Sequence, residues 1–221
     1  MEGMKWIVLA TILQAGVLED ARDRQDGPAL AAQAQKLVAK AATGAKGSYE
    51  LAIVKSYEAE VAMEKGDKKA SASAAEAGID AAKKAVAGEA SNAEYHRILG
   101  TLCGQVIPAN VLLGLKYGRC AMDEVAKAIE LNPKAAENWL ARGVGNYYLP
   151  ASFGGGIEKA IEDFDKALQL NPKLADAYLW RGVAQRKAGK NAEAHKSLAK
   201  ALELNPKRLW AKTQLDKTPE K

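Results

Sequence analysis

The sequence predicts an all-α protein, an α-solenoid of about four antiparallel helix hairpins, and two observations lead to this prediction. The chain of 221 residues is rich in alanine, lysine and glutamate, has only 6% aromatic residues and almost lacks β-branched alternation, so its helix propensity is high throughout. The motif Leu-Asn-Pro-Lys occurs at 131–134, 170–173 and 204–207, with its prolines 39 and 34 residues apart. Proline disfavours helix in the residue before it, so each motif ends one hairpin and starts the next.

Residues 1–18 are predicted to be a signal peptide or an N-terminal helix. A short basic start precedes an apolar stretch from Trp6 to Leu18, with small residues at Ala15 and Gly16, and this order is typical of an export signal. The stretch is too short to span a bilayer comfortably, so no transmembrane span is expected. We therefore expect a bacterial protein exported to the periplasm, with a cytoplasmic location as the alternative.

Residues 27–92 are predicted to form degenerate helical hairpins. Gly27-Pro28 breaks the chain before the first of these helices, and Gly66-Asp67 supplies a turn between two longer ones, because glycine, proline and aspartate favour turns. No aromatic and glycine pair here matches the later units. These hairpins are therefore expected to be irregular.

Residues 93–206 contain three units in which bulky and small side chains recur at matching positions. In the last unit Gly182, Ala194 and Ala201 would let two antiparallel helices approach closely, while Tyr178 fills the wedge between them. With Leu198 and Pro206, these residues have counterparts one unit earlier, namely Trp139, Gly143, Ala160, Phe164, Ala167 and Pro172. A hairpin of this kind cannot bury its apolar stripe alone, so neighbouring hairpins must stack.

Two of these units carry insertions. The first has about nine extra residues, with Pro108 as the expected helix break and an apolar stretch from Val111 to Leu115. The second has five, from Leu149 to Phe153, followed by three glycines. Residues 207–221 are predicted to be a C-terminal cap helix and a tail.

A 34-residue period with an aromatic residue, a glycine, alanines and a proline at these offsets resembles the tetratricopeptide repeat. The resemblance covers 93–206 and implies a non-enzymatic scaffold or adaptor, which binds a partner protein or peptide on a concave face formed by the first helix of each hairpin. Carried over position by position, that face should consist of Glu137, Leu140, Val144, Tyr147 and Tyr148 from one unit, and Asp176, Leu179, Val183, Arg186 and Lys187 from the next.

The two insertions motivate an alternative, a periplasmic ligand-binding accessory protein similar to the helical partner of TRAP-type transporters. In this hypothesis the insertions close over an apolar cavity near Phe153 and the stretch from Val111 to Leu115. The accessory-protein hypothesis predicts a deep pocket in the structure, whereas the scaffold hypothesis predicts an open groove.

No residue pattern predicts catalysis, a cofactor or a metal site. His96 and His195 lie on different repeats and lack further ligands at metal-binding spacing. Gly154–156 is not followed by Gly-Lys-Ser/Thr, so these glycines are interpreted as allowing positive φ in a folded-back loop rather than as a phosphate cradle. The C-terminal end is basic, but its lysines mostly fall on predicted solvent-facing positions, so no nucleic acid partner is expected.

Two pairings remain open at this point. Cys103 and Cys120 lie on the two arms of one unit, where they could form a disulfide or remain buried thiols. Arg142 and Arg181 stand just before the repeat glycines, while Asp163 and Asp165 lie on the second helix of the Trp139 unit. An Arg–Asp pair within a repeat is the first interpretation, and an Arg142 that faces a ligand is the alternative.

Overall fold

The computed structural model describes residues 16–110 and 112–220, which contain α-helices and no β-strand. The first helix, α1, is described over 16–23. The others are α2 (Gly27–Ala41), α3 (Ala45–Glu64), α4 (Lys68–Gly88), α5 (Ala93–Val106), α6 (Leu113–Leu131), α7 (Ala136–Tyr148), α8 (Ile157–Leu170), α9 (Ala175–Lys187), α10 (Asn191–Leu204) and α11 (Leu209–Asp216). The predicted all-α class is confirmed.

Consecutive helices pack as hairpins, α3 with α4, α5 with α6, α7 with α8 and α9 with α10. The first helices of these hairpins also contact one another in order, α3 with α5, α5 with α7 and α7 with α9. They form the inner layer of a solenoid, and the second helices form the outer layer. This arrangement confirms the predicted solenoid of about four hairpins, with α1 and α2 before it and α11 after it.

The Leu-Asn-Pro-Lys motif forms the same turn at all three of its positions. The side-chain oxygens of Asn132, Asn171 and Asn205 accept hydrogen bonds from the backbone amides two residues later, at 3.3, 3.1 and 3.3 Å. An asparagine in this role mimics a backbone turn, and the proline that follows it cannot extend the preceding helix. The repeated motif thus sets the connection from one hairpin to the next.

Glycines permit the close contact between the helices of a hairpin. A Cβ atom on Gly182 would lie 2.6 Å from Cγ of Leu198, and one on Gly143 would lie 2.5 Å from Cε1 of Phe164. Both distances are far below van der Waals contact, so a larger residue would force the helices apart. The predicted role of Gly182 is therefore confirmed.

Both insertions form short turns at one edge of the solenoid. After α5, a 3-10 turn at Ile107–Ala109 contains Pro108, where the helix was expected to break. A disulfide between Cys103 and Cys120 joins α5 to α6. After α7, Gly154 and Gly156 adopt φ values of 89° and 115°, and the amide of Gly156 donates to the carbonyl of Asn146 at 2.9 Å. The second loop thus folds back on α7, as the glycines predict.

Candidate functional site

The two ends of the solenoid meet at Arg208, which lies between α10 and α11 and is only 2% exposed. Its guanidinium donates to Glu60 at 2.6 Å and to Glu64 at 2.5 Å, both on α3. It also lies 3.4 Å from Asp176 at the start of α9. The C-terminal end of the superhelix therefore contacts its N-terminal part and closes it into a ring.

We use the name clasp for the group of ion-paired residues at this closure: Arg22, Asp23, Glu60, Glu64, Asp176 and Arg208. Outside it, Lys207 pairs with Asp20 at 2.6 Å. Within it, Arg22 reaches Asp176 at 2.8 Å. Two guanidinium groups thus face four carboxylates, so the clasp carries an excess of negative charge.

The clasp carboxylates differ in how tightly they bind a proton. Burial raises the pKa of Glu64, the negative charge of Glu60 adds to the effect, and Arg208 only partly opposes it, so the pKa is about 7. Burial also acts to raise the pKa of Asp176, but Arg22 and Arg208 outweigh it and hold that pKa below its ordinary value. Asp176 therefore stays ionised at neutral pH, whereas Glu64 is partly protonated there.

A central cavity of about 1820 Å³ lies inside the ring. The inner helices α3, α5, α7 and α9 line it, together with α1, the start of α6, the α7–α8 loop and Trp210 of α11. Cavities that hold a drug-sized molecule usually measure about 300–1,000 Å³. The concave face is thus the wall of a cavity that can accommodate a larger occupant.

The predicted face of α7 largely matches the cavity wall. Glu137, Leu140, Val144 and Tyr148 line the cavity, at the i, i+3, i+7 and i+11 positions of one helix face. Tyr147 does not line it. Its ring contacts that of Trp180 at a centroid distance of 5.7 Å and packs under the ammonium of Lys187 at 4.4 Å, so these two predicted residues contact each other away from the cavity lining.

On α9 the predicted face needs correction. Leu179 and Val183 are 0% and 5% exposed and lie in a core cluster with Leu198 and Ala211. They cannot contact a partner, because the cap helix α11 covers this side of α9. The cavity wall of α9 is instead formed by Ala175, Asp176 and Trp180.

The remaining predicted residues of α9 are held by other parts of the chain. Arg186 donates to the side chain of Gln214 at 2.6 Å and to the hydroxyl of Thr218 at 3.1 Å, so it fastens α11 to α9. Asp176 lines the cavity but belongs to the clasp. Neither side chain is free to anchor a partner without breaking these contacts.

Tyr148, Trp180 and Trp210 form an aromatic wall of the cavity, of which sequence reasoning identified Tyr148 and missed the two tryptophans. The rings of Trp180 and Trp210 lie 5.0 Å apart, and those of Tyr148 and Trp180 lie 6.2 Å apart. Burial raises the pKa of Tyr148 to about 12, with smaller contributions from Tyr147, Glu64 and Glu60. The wall offers large rigid rings, which are frequent anchors in protein recognition.

Another wall comes from α3 and α5. The sequence analysis placed α3 in the degenerate hairpins of 27–92 and α5 in the first unit of 93–206, and it named no site residue on either helix. Tyr49, Ile53 and Tyr57 line the cavity at i, i+4 and i+8 of α3. The hydroxyl of Tyr49 donates to Glu94 at 3.1 Å, and Glu94 also accepts from Arg97 at 2.6 Å. The helical spacing of the aromatic residues was the available signal for this wall.

The predicted Arg–Asp pair within a repeat is confirmed for Arg142, whose guanidinium donates to Asp163 at 2.6 Å within the α7–α8 hairpin. Arg181 differs, because it binds Asp165 at 2.8 Å and so joins α9 to the preceding hairpin. His96 lies between the carboxylate of Glu124, at 2.5 Å, and a backbone carbonyl. It is thus held by structural hydrogen bonds.

Within 16–110 and 112–220, no three histidine, cysteine or acidic side chains converge as metal ligands. The helices of the same part of the chain are all too short or too polar to cross a membrane.

Comparison with known proteins identifies repeats at the C-terminal end. Residues 154–189 match a family model described as a TPR repeat, and residues 175–208 match the model of the tetratricopeptide repeat. No curated protein sequence matches the chain.

Among solved structures, the chain is similar to TTC0263, a thermophilic TPR protein of Thermus thermophilus. The TM-score is 0.65 and the sequence identity 21%, over 93% of this chain and 95% of that one, so the likeness concerns the fold. It is also similar to MamA, with a TM-score of 0.43 and 24% identity over 90% and 93% of the two chains. YrrB, a TPR protein with an unusual peptide-binding site, has a TM-score of 0.45 and 21% identity over 82% and 84%.

Proposed function

We propose that this chain, which is a tetratricopeptide repeat protein, is a non-enzymatic scaffold that binds a polypeptide segment of a partner protein in its central cavity. Repeats of this family are protein-interaction modules. The observation that carries the proposal is the cavity of about 1820 Å³ lined by the inner helices of the solenoid. An extended or helical segment suits this volume better than a small ligand does.

The aromatic wall supports a role in recognition. Tyr148 is 49% exposed and borders Trp180 and Trp210 in the cavity. Aromatic rings bury a large area at a low cost in side-chain entropy, and their truncation in an interface often costs about 2 kcal/mol or more. We expect side chains of the bound segment to pack on this wall.

Selection from a displayed library of random short peptides, with the full chain as the target, tests the proposal. The selected peptides are then synthesised, and their binding is measured by fluorescence anisotropy. Tyr148→Glu should weaken binding by about tenfold or more, because it places a charge on the aromatic wall. The matched control is Val38→Glu, since Val38 is 59% exposed on α2 and lies outside the cavity lining. Equal binding by both variants, or a library that yields no binder, would overturn the proposal.

A second candidate is the binding of an apolar small molecule by an accessory protein of a transporter. Three observations favour it, namely that the concave face is a cavity and not an open groove, as this hypothesis predicts, that the clasp closes the ring, and that both insertions border the cavity. Native mass spectrometry of the protein purified from its own source separates the candidates. A stoichiometric small molecule that is lost on denaturation would support the second candidate, and its absence together with peptide binding would support the first.

We also propose that the protein is exported to the periplasm. The disulfide between Cys103 and Cys120 supports this location, because disulfides persist mainly in oxidising compartments. The apolar stretch that motivates the signal peptide lies mostly in residues 1–15, outside the described part of the chain. A thiol assay on the freshly isolated protein should find no free cysteine, and two reactive thiols would contradict the export proposal.

A further inference from the structure

Exposed apolar side chains in the described part of the chain concentrate around the cavity. The large exposed ones are Val17, Val38, Leu112, Leu115, Met122, Tyr148, Phe153 and Leu209. Five of these eight line the cavity, and Leu115 and Phe153 are 89% and 75% exposed. Side chains that line the cavity and also face solvent lie at its opening. Concentrated exposed apolar surface of this kind usually marks an interaction site.

The topology brings the two insertions to the same edge of the ring. The helices α6 and α7 are consecutive and joined by the short Asn-Pro-Lys turn, so the start of α6 and the end of α7 lie at one edge. Leu112 immediately precedes α6, and it is followed on the helix by Leu115, Arg119 and Met122. The four residues are spaced at i, i+3, i+7 and i+10, which is one helix face. Phe153 lies in the loop that follows α7. We name these five residues the insertion cleft.

The cleft contains one charge, and it is positive. Arg119 is exposed and lines the cavity. Within 16–110 and 112–220 it takes part in no ion pair, although Asp123 lies one helical turn away. Its neighbour Lys116 packs on the ring of Tyr117 at 4.7 Å and adds a second cation to this part of α6. A guanidinium between apolar side chains favours a carboxylate that arrives with apolar groups beside it.

We infer that the insertion cleft is a docking site for an apolar segment of a partner protein that carries a carboxylate side chain to Arg119. The inference rests on the proposed function and adds to it the chemistry of the partner. The clasp lies elsewhere on the cavity wall and has an excess of carboxylates. The charged side chain of the cleft is cationic, whereas the clasp has more carboxylates than guanidinium groups, so a bound segment should place its acidic side chain at the insertions and not at the clasp.

Two synthetic amphipathic peptides test the inference. Both have the same pattern of leucine and alanine, and they differ only in having glutamate or lysine at the polar positions. Anisotropy titration with the full chain should give about tenfold tighter binding for the glutamate peptide. Arg119→Glu should reverse this preference, and Leu115→Ala should weaken the glutamate peptide about tenfold, whereas Val38→Ala should leave it unchanged.

The expected result is the reversal of preference in Arg119→Glu together with the loss in Leu115→Ala. Equal binding of the two peptides, no binding of either, or insensitivity to Arg119→Glu would overturn the inference. Peptides from the library that lose affinity in Tyr148→Glu but not in Leu115→Ala would overturn it while leaving the proposed function intact. Analytical ultracentrifugation tests whether a second copy of the chain occupies the cleft instead of a partner protein. A dimer that dissociates in Leu115→Ala would overturn the inference.

Discussion

Arg208 and Glu64 are 144 residues apart in the chain, yet the guanidinium of Arg208 donates two hydrogen bonds to the carboxylate of Glu64, at 3.1 and 2.5 Å. This contact turns a solenoid with two free ends into a ring. A buried ion pair adds little net stability compared with apolar residues of the same size, but removing one partner leaves the other charge uncompensated. The main effect of the pair is therefore to hold the ends together.

Arg208→Met should open the ring and destabilise the protein by about 3–5 kcal/mol, since it leaves Glu60 and Glu64 without their guanidinium. Urea unfolding measures the stability, and small-angle X-ray scattering measures the expected increase in the radius of gyration. Lys207→Met is the matched control, because the Lys207 side chain is 59% exposed and such pairs contribute about 0–1 kcal/mol. An unchanged radius of gyration in Arg208→Met would contradict a closure that depends on the clasp.

The raised pKa of Glu64 predicts how the closure depends on pH. The pKa is about 7 in the closed clasp against an ordinary 4.5, so the closed form binds the proton more tightly than the open or unfolded form. Lowering the pH through this window should therefore stabilise the closed form, and raising it should remove that stabilisation. Asp176 acts in the opposite direction only at lower pH, because its pKa is depressed.

Thermal unfolding of the wild type and Glu64→Gln checks this prediction between about pH 7.5 and about pH 5.5. The glutamine variant lacks the titrating group, so the melting temperature of the wild type should rise relative to that of the variant as the pH falls. A difference between the two proteins that stays constant across this range would contradict the assignment.

The sequence predicted the inward-facing residues well where the repeats are regular and poorly where they are not. Four of the five residues predicted on α7, namely Glu137, Leu140, Val144 and Tyr148, line the cavity, because the repeat pattern fixes which side of a first helix faces inward. Their role in binding a partner stays a prediction. The same logic failed on α9 at Leu179. There the last repeat is covered by α11, which packs on the face that an internal repeat would leave open.

The repeat pattern could not predict the clasp or the α3 wall of the cavity. Arg208 follows the last proline motif and offers no local sign that it contacts Glu60, 148 residues earlier. Such a contact depends on the summed curvature of all the hairpins, and no single repeat encodes it. The α3 wall was missed because the N-terminal hairpins lack the aromatic and glycine pair that marks a repeat.

Gly182→Leu should destabilise the protein by about 1–3 kcal/mol or more, because the new side chain would overlap Leu198 on the facing helix. The matched substitution is Gly145→Leu, since a Cβ atom on Gly145 meets nothing within 4 Å. This control should be nearly neutral or slightly stabilising, because leucine favours helix more than glycine does. Equal unfolding midpoints in urea for both variants would contradict the close helix contact at Gly182.

The proposed signal peptide should be removed after Ala15 or after Gly16, so that the exported protein begins at Gly16 or Val17. Leu18 is only 7% exposed and packs in a core cluster with Leu30, so removal of residues 1–18 as a unit would delete a core side chain. Loss of a buried leucine typically costs about 2–5 kcal/mol even when only its side chain is truncated, which disfavours a cut after Leu18.

Intact-mass spectrometry of the protein from its native source decides the position of the cut. A mass that corresponds to a start at Gly16 or Val17, less two hydrogens for the disulfide, is the expected result. A start after Leu18 would contradict the role of Leu18 in the core, and an intact start at Met1 or Met4 in a cytoplasmic fraction would contradict export. As a control, deletion of residues 1–15 should leave the unfolding midpoint unchanged, whereas deletion of residues 1–18 should lower it, because only the second removes Leu18 from its cluster.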